Sequence, residues 1–340
     1  MILTAPFNTD FAQHFTQGLQ KMLLEYDELG VFILILANAL YDAEINDILK
    51  EDIKQCFDKI TQKLNYGGYA DVSEDDLVVF KKIQALGLDQ LEQVQFRQVD
   101  HWRLQFNPLR ALRPPRIANA VVKNTQANFD GNRFHFDKAF LKKEFFWQGT
   151  LLNKHLTLLY NKFPFAPLHC LLVPEIAEHH AQFLNATWHQ YIWDLTQALA
   201  PDLPNIGFGY NGLGAYSSVN HLHFHFFIDT ELNIEKSHWQ HQGGPRPYPA
   251  DCFLFDNAQQ AWLFIEQQQQ NNVAYNLFYR PNKVFVLQRH RQGQSLTPAW
   301  CNSLAWQEMA GGFTLYSKET FDLLSAELIE EALSSTKISV

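Results

Sequence analysis

The sequence predicts an α+β protein with largely antiparallel sheets. Three observations carry this. Between residues 8 and 95, apolar side chains recur every three or four positions, the period of a helix with one buried face. From Phe134 onward, short runs rich in β-branched and aromatic residues alternate with proline and glycine breaks, as strands joined by turns do. The order strand, strand, helix in the middle of the chain is then partly echoed near its end. The organisation expected is a helical N-terminal region over 1–100, an α+β unit over 101–235 and a second, related unit over 236–340.

The elements follow in order. Phe11, Phe15, Leu19, Met22 and Leu23 mark one helical face. Val31 to Tyr41 is apolar throughout and too short to span a bilayer, so it reads as a buried helix, with a strand as the alternative. Asp47 to Leu64 is helical again, with Ile48, Ile53, Phe57 and Ile60 on its apolar side. Asn65 to Gly68 is a break, Ser73 opens a helix running to Ala85, and Gly87 closes it. Phe106 to Arg116 is proline-rich and basic and reads as an extended loop. Arg103, Arg110, Arg113 and Arg116 stand out there. They fit either a solvated loop or an arm laid over a phosphorylated ligand, whose oxygens guanidinium groups match.

Leu156 to Asn161 and His169 to Val173 are strand candidates separated by Pro164 and Pro167. Leu184, Trp188, Tyr191, Ile192, Leu195 and Leu199 mark an amphipathic helix. Ile206 to Asn211 is a third strand, with a loop from Gly212 to Ser218. After Asp229 the chain turns polar through Gly244-Pro245-Arg246-Pro247, which reads as a linker. Trp262 to Gln270 suits a helix, Asn276–Arg280 and Val284–Leu287 form a hairpin, and Phe321 to Leu333 is a closing helix.

Composition bounds the function. The chain has 340 residues, 46% of them apolar, enough for a sizeable core. A net charge of -9 argues against a nucleic-acid coat, though a local basic patch can still grip a phosphate. Cys56, Cys170, Cys252 and Cys301 form no CxxC pair and read as reduced thiols. No basic stretch followed by an apolar core opens the chain. The expectation is a cytoplasmic protein without membrane or nucleic-acid partners.

The chemistry concentrates in Asn220-His221-Leu222-His223-Phe224-His225-Phe226-Phe227-Ile228-Asp229. Read as a strand, it places His221, His223 and His225 on one face and Leu222, Phe224 and Phe226 on the other. Two chemistries suit such a face, covalent catalysis at phosphorus and metal ligation. A neutral imidazole, with an ordinary pKa near ~6.5, is a competent nucleophile. Attack on an α-phosphorus gives a nucleotidyl-histidine and splits one displacement into two. His223 is the natural attacker because its neighbours flank it. His221, His225 and His169 are then donors to phosphoryl oxygens or to the leaving group. Zinc held by the same histidines is the competing reading. No acidic residue sits among them and His-Glu-x-x-His is absent, so no metal and no cofactor are expected.

These residues carry a resemblance. His221 to Phe227 is similar at every position to the histidine-triad pattern, and Tyr160 to Pro174 resembles that superfamily's ribose-binding strand, proline loop and fourth histidine. Tyr275–Phe278 followed by Val284–Arg289 resembles the transferase branch. That branch holds galactose-1-phosphate uridylyltransferase, diadenosine tetraphosphate phosphorylase and the GDP-hexose phosphorylases, and Ser218 to Phe224 is most like the last group. The resemblance implies a HIT-like fold whose second unit lacks the histidine motif. It places Asn161 on the ribose hydroxyls, Asn211 in the active site, and Ser218, with Ser217 beside it, on phosphate. Arg113 and Arg116 join them as candidate substrate contacts. The implied activity is a nucleotidyltransferase or phosphorylase cleaving a nucleoside diphosphate sugar or a dinucleoside polyphosphate, with inorganic phosphate or a sugar phosphate as acceptor, in a monomer or homodimer. The branch usually carries glutamine where this chain has His225. A histidine there can act as general base toward water, so a hydrolase of the same bonds is the alternative, and a zinc-dependent hydrolase the second alternative.

Overall fold

The computed structural model describes residues 6–67, 73–113, 121–295 and 297–338. Arg116 lies outside the described residues.

Four helices open the chain: α1 (Phe11–Glu25), α2 (Leu29–Tyr41), α3 (Ala43–Asn65) and α4 (Glu74–Leu86). α2 is apolar all round because it is buried all round, every residue from Val31 to Leu40 included. This decides helix over strand for that run. Asp42 caps α3, its Oδ1 accepting from the Glu44 and Ile45 amides. A hairpin follows, β1 (Gln95–Val99) and β2 (Trp102–Phe106), turning at Asp100 with positive φ. It stands between the helix closed at Gly87 and the loop read from Phe106, at the end of a region expected to be helical. The basic loop then begins as a short helix, α5 (Pro108–Ala111), because Asn107 caps it and Pro108 suits a first turn.

The remaining elements are β3 (Phe145–Leu151), β4 (Lys154–Tyr160), β5 (Cys170–Pro174), α6 (Ala186–Leu199), β6 (Ile206–Asn211), β7 (Phe224–Ile228) and β8 (Cys252–Phe255). They continue with α7 (Ala258–Gln270), β9 (Ala274–Arg280), β10 (Lys283–Arg289), α8 (Trp306–Met309), β11 (Gly312–Leu315), α9 (Lys318–Leu323) and α10 (Ala326–Ser334). The single closing helix expected over Phe321–Leu333 is therefore two, parted at Leu324 and Ser325.

Eight strands form one sheet in the order β3-β4-β5-β7-β6-β9-β10-β8, every neighbour antiparallel. β6 pairs with β9, so residues on both sides of position 235 share it. A small sheet, β1-β2-β11, packs beside it. The stretch read as a linker is anchored. Trp239 and Ile234 are fully buried, the Trp239 indole donates to the Asn233 carbonyl at 2.8 Å, and the Tyr248 hydroxyl donates to the Met309 carbonyl at 2.7 Å. Its polarity is that of a surface with apolar pins through it.

The period of two divides the large sheet. Leu158, Leu172, Phe208, Tyr210, Phe224, Phe226, Leu277 and Val286 share the main core with the helices α1, α2, α6 and α7. On the opposite face, Phe227, Phe278 and Phe285 gather with Trp306 in a second core, while Leu159 and Val173 gather with Phe136 and Ile176 in a third. His225 projects from this face between the two clusters.

Candidate active site

Of His221, His223 and His225, only His225 lies within a strand. The ladder of β7 starts at Phe224, so His221 and His223 sit in the extended segment ahead of it. The reading of one strand carrying all three histidines is corrected accordingly. The reason is that the last paired residues are Leu172 with Phe224 and Gly209 with His225, and upstream the neighbouring strands have diverged.

Each imidazole has its own hydrogen-bonding arrangement. His223 is 5% exposed, and its Nδ1 lies 2.8 Å from the His221 carbonyl oxygen. A carbonyl can only accept, so Nδ1 carries the hydrogen and Nε2 carries the lone pair. Burial pulls its pKa down from 6.5 to about 4, so the ring is neutral near pH 7. The Phe136 ring packs 4.9 Å from it.

His221 is fully buried, and its Nδ1 accepts from the Phe136 amide at 3.2 Å. Its Nε2 then carries the hydrogen and has no partner among the described residues. The ring faces Phe129, His135 and His179 at 5.5, 6.1 and 5.7 Å. His179 in turn stacks on Phe129 and bonds Asp137 at 3.0 Å. Burial, and secondly the neighbouring imidazoles, hold His221 at about 3.

His169 and His225 are a linked pair, Nε2 to Nδ1 at 3.0 Å. The Phe165 amide donates to His169 Nδ1 at 3.4 Å, and a backbone N–H has no other role to offer. Asn161 Nδ2, equally only a donor, faces His169 Nε2 at 3.2 Å, so donors face both nitrogens of His169, and the pair shares one hydrogen between His169 Nε2 and His225 Nδ1. Burial lowers His169 to about 3 and His225 well below its ordinary value, and the Arg110 charge adds to both. Arg110 lies beside the pair, 5.8 Å from the Phe165 ring and 5.3 Å from the Tyr316 ring, and makes no ion pair among the described residues.

The other expected contacts are distributed along the rim and floor. Asn161 Oδ1 accepts from the Phe163 amide at 3.0 Å, and its Nδ2 lies 3.2 Å from His169 Nε2. Asn211 is buried, its Oδ1 accepting from Asn276 Nδ2 at 2.7 Å and from the Trp306 amide at 2.8 Å. Ser217 bonds the Val219 carbonyl, and Ser218 is exposed on the same loop. Arg113 lies 4.0 Å over the Phe163 ring. Sequence reasoning missed Gln182, Phe136, Asn276 and Trp306, and singled out Arg110 only as one of four arginines of the basic loop. Asn276 reaches Asn211 only through the β6–β9 register, which no local pattern displays. Among the described residues, no group of three or more His, Cys, Asp or Glu side chains is arranged to hold a metal ion. The site histidines instead bond backbone or one another.

Residues 100–227 match the family model described as GDPGP1-like, N-terminal domain. The chain is 33% identical over 117 residues to GDP-D-glucose phosphorylase 1 of Danio rerio, covering 34% of each protein. It is 32% identical over 136 residues to GDP-D-glucose phosphorylase 1 of Homo sapiens, covering 37% of this chain and 33% of that one. Identity to GDP-L-galactose phosphorylase 2 of Arabidopsis thaliana is 23% over 259 residues, covering 62% and 59%. The chain thus spans about a third of the length of the fish and human relatives it matches. Among solved structures, yeast Ap4A phosphorylase superposes with a TM-score of 0.50 at 16% identity, covering 79% of this chain and 97% of that one. The α+β, HIT-like fold and the resemblance to the phosphorylase branch are borne out.

Proposed function

We propose that the chain is a nucleotidyltransferase of the phosphorylase kind, cleaving a nucleoside diphosphate sugar through a nucleotide carried on His223, with inorganic phosphate as acceptor. One observation carries the reading. The His223 Nδ1–H bond to the His221 carbonyl leaves Nε2 with its lone pair in a ring that burial keeps neutral. Nε2 attacks the α-phosphorus, and the bond to the bridging oxygen breaks, releasing the sugar phosphate. A phosphate oxygen then attacks the same phosphorus, the P–N bond breaks and the nucleoside diphosphate leaves.

The other residues serve that exchange. His225, held in place by His169, contacts a phosphoryl oxygen or the leaving oxygen. His221 shares the segment and fixes His223 through its carbonyl. Asn161 bonds the ribose, Asn211 stiffens the floor, and Ser217, Ser218, Arg113 and Arg116 receive phosphate oxygens. The residues 101–235 form the catalytic unit, and 236–340 support it through Asn276 and Trp306. The names of the fish, human and plant relatives favour a GDP-hexose, and that of the yeast enzyme keeps a dinucleoside polyphosphate in the panel. Transfer is favoured over hydrolysis because the fish, human and plant relatives are named as phosphorylases. Four unpaired cysteines accord with a cytoplasmic setting, and among the described residues no helix is long and apolar enough to cross a membrane.

The test is a panel of nucleoside diphosphate hexoses and dinucleotides, with and without phosphate, and with a sugar phosphate in its place, products being identified by mass. Phosphate-dependent release of a nucleoside diphosphate is expected. His223→Ala should lower turnover by at least about a thousandfold with nucleotide binding retained. Equal product with buffer alone would replace phosphorolysis by hydrolysis, and substantial turnover in the variant would remove His223 as nucleophile.

A further inference from the structure

We propose that Gln182 is a positioning residue for the nucleophile. Its side-chain amide stands in for a missing neighbour strand across His223 and thereby selects which ring nitrogen keeps the lone pair. The consequence for rate rests on the His223 reading above; the consequence for the imidazole proton does not.

The need for such a residue follows from where the ladder ends. Phe224 and His225 are the last residues of that strand with partners in β5 and β6. His223 is one position further and still buried, so its N–H and C=O require partners there. Gln182, fully buried itself, supplies both. Its Oε1 accepts from the His223 amide at 2.9 Å, and its Nε2 donates to the His223 carbonyl at 3.3 Å and to the Asn211 carbonyl at 2.8 Å. The chain on either side extends the pairing. The Leu222 amide donates to the His180 carbonyl at 2.7 Å, and the Gln182 amide donates to Asn220 Oδ1 at 3.0 Å.

Holding the His223 peptide on both sides fixes its orientation relative to the His221 carbonyl two residues earlier, the acceptor that puts the hydrogen on Nδ1. The clamp is in turn seated on the second half of the chain, because the Asn211 it grips is held by Asn276 and by the Trp306 amide. A glutamine is suited to this task because one planar group offers an acceptor and two donors, matching one N–H and two carbonyls.

Two variants separate positioning from simple core filling. Gln182→Glu keeps the shape. As a carboxylate it still accepts from the His223 amide but confronts two carbonyl oxygens with nothing to donate, and protonation returns one donor. Gln182→Leu removes all three bonds. In Gln182→Glu, single-turnover formation of the nucleotidyl-enzyme should be about a hundredfold slower at pH 8, with nucleotide affinity within about threefold of wild type. The rate should recover as pH falls toward about 5, where a buried carboxyl is protonated. Nitrogen-15 NMR of labelled histidine should show His223 as the Nδ1–H form in wild type and as a mixture in Gln182→Leu. A rate in Gln182→Glu equal to wild type across pH, rate and affinity falling together, or an unchanged His223 signal in Gln182→Leu would each overturn the proposal. If Gln182→Leu fails to fold, Gln182→Glu measured at high and low pH gives the NMR readout in its place. A wild-type enzyme that forms no nucleotidyl-histidine would defeat the proposed reaction, and the NMR comparison would still decide the role of Gln182.

Discussion

His223 directs its hydrogen at its own backbone, which leaves the opposite nitrogen available for chemistry. Its pKa of about 4 gives this a pH signature. Lowering the pH adds a proton to Nε2 and abolishes the lone pair, so the first half-reaction should be flat from pH 8 downward and fall through about pH 4. Stability runs the same way. Unfolded histidines take up protons from their ordinary 6.5 downward, whereas the folded ones resist until about 4 for His223 and about 3 for His169 and His221. The folded state is therefore fully favoured above about 6.5 and loses ground as pH falls through that window. Single-turnover rates with denaturation midpoints over pH 4–8 check both; an acid limb centred near 6.5 would mean the nucleophile titrates as in water. The histidines themselves were legible in the sequence, because a period of two displays them. The His223 proton was not, because it is set by a carbonyl two residues away. Gln182 carried no local signal, since its side-chain partners Asn211 and His223 lie 29 and 41 positions downstream.

β6 shows what an element needs beyond its alternation. Its sequence, Ile-Gly-Phe-Gly-Tyr-Asn, puts large residues toward the helices and glycines toward the second core. At Gly209 a Cβ would lie 2.3 Å from the Trp306 ring, and at Gly207 2.5 Å from the Phe227 ring. Gly209→Ala should therefore destabilise by about 1–3 kcal/mol, as overpacking does, and should lower turnover because Trp306 packs 5.9 Å from His225. Thermal melts and turnover numbers test this; wild-type values of both would mean Trp306 moves aside freely. β4, β5, α6 and the β9–β10 hairpin were legible because each repeats its apolar positions over enough residues. The β1–β2 hairpin was not, since β1 is half-exposed with no run of buried residues. α5 was too short to show a period. Polar composition hid the anchoring of 229–248 because two or three buried aromatics suffice to hold it.

Across the whole molecule, both units contribute to one sheet. The bond between them is more than strand pairing. Arg280 and Glu235, each 6% exposed, form an ion pair at 3.0 Å, and Arg280 also donates to the Ile206 and Thr230 carbonyls. Arg280→Met removes the pair and the bonds to the two carbonyls but leaves Lys283 Nζ 3.4 Å from Glu235, so it should cost about 1–3 kcal/mol. Unfolding should remain a single transition by fluorescence and by circular dichroism, and separate transitions would show that the halves stand alone. That residues on both sides of position 235 share a sheet was not legible in the sequence, because strand neighbours distant in the chain leave no mark on local pattern. Trp306 makes the sharing visible in another sense. It lies beyond the His221–His225 segment in the chain, flat against Phe227 at 4.8 Å, and its indole nitrogen is buried without a partner among the described residues. An indole so enclosed is sensitive to charge arriving next door, and His225 is next door. Under the proposed reaction, Trp306 emission is therefore expected to shift when a phosphoryl group binds beside His225, which a fluorescence titration with nucleotide checks.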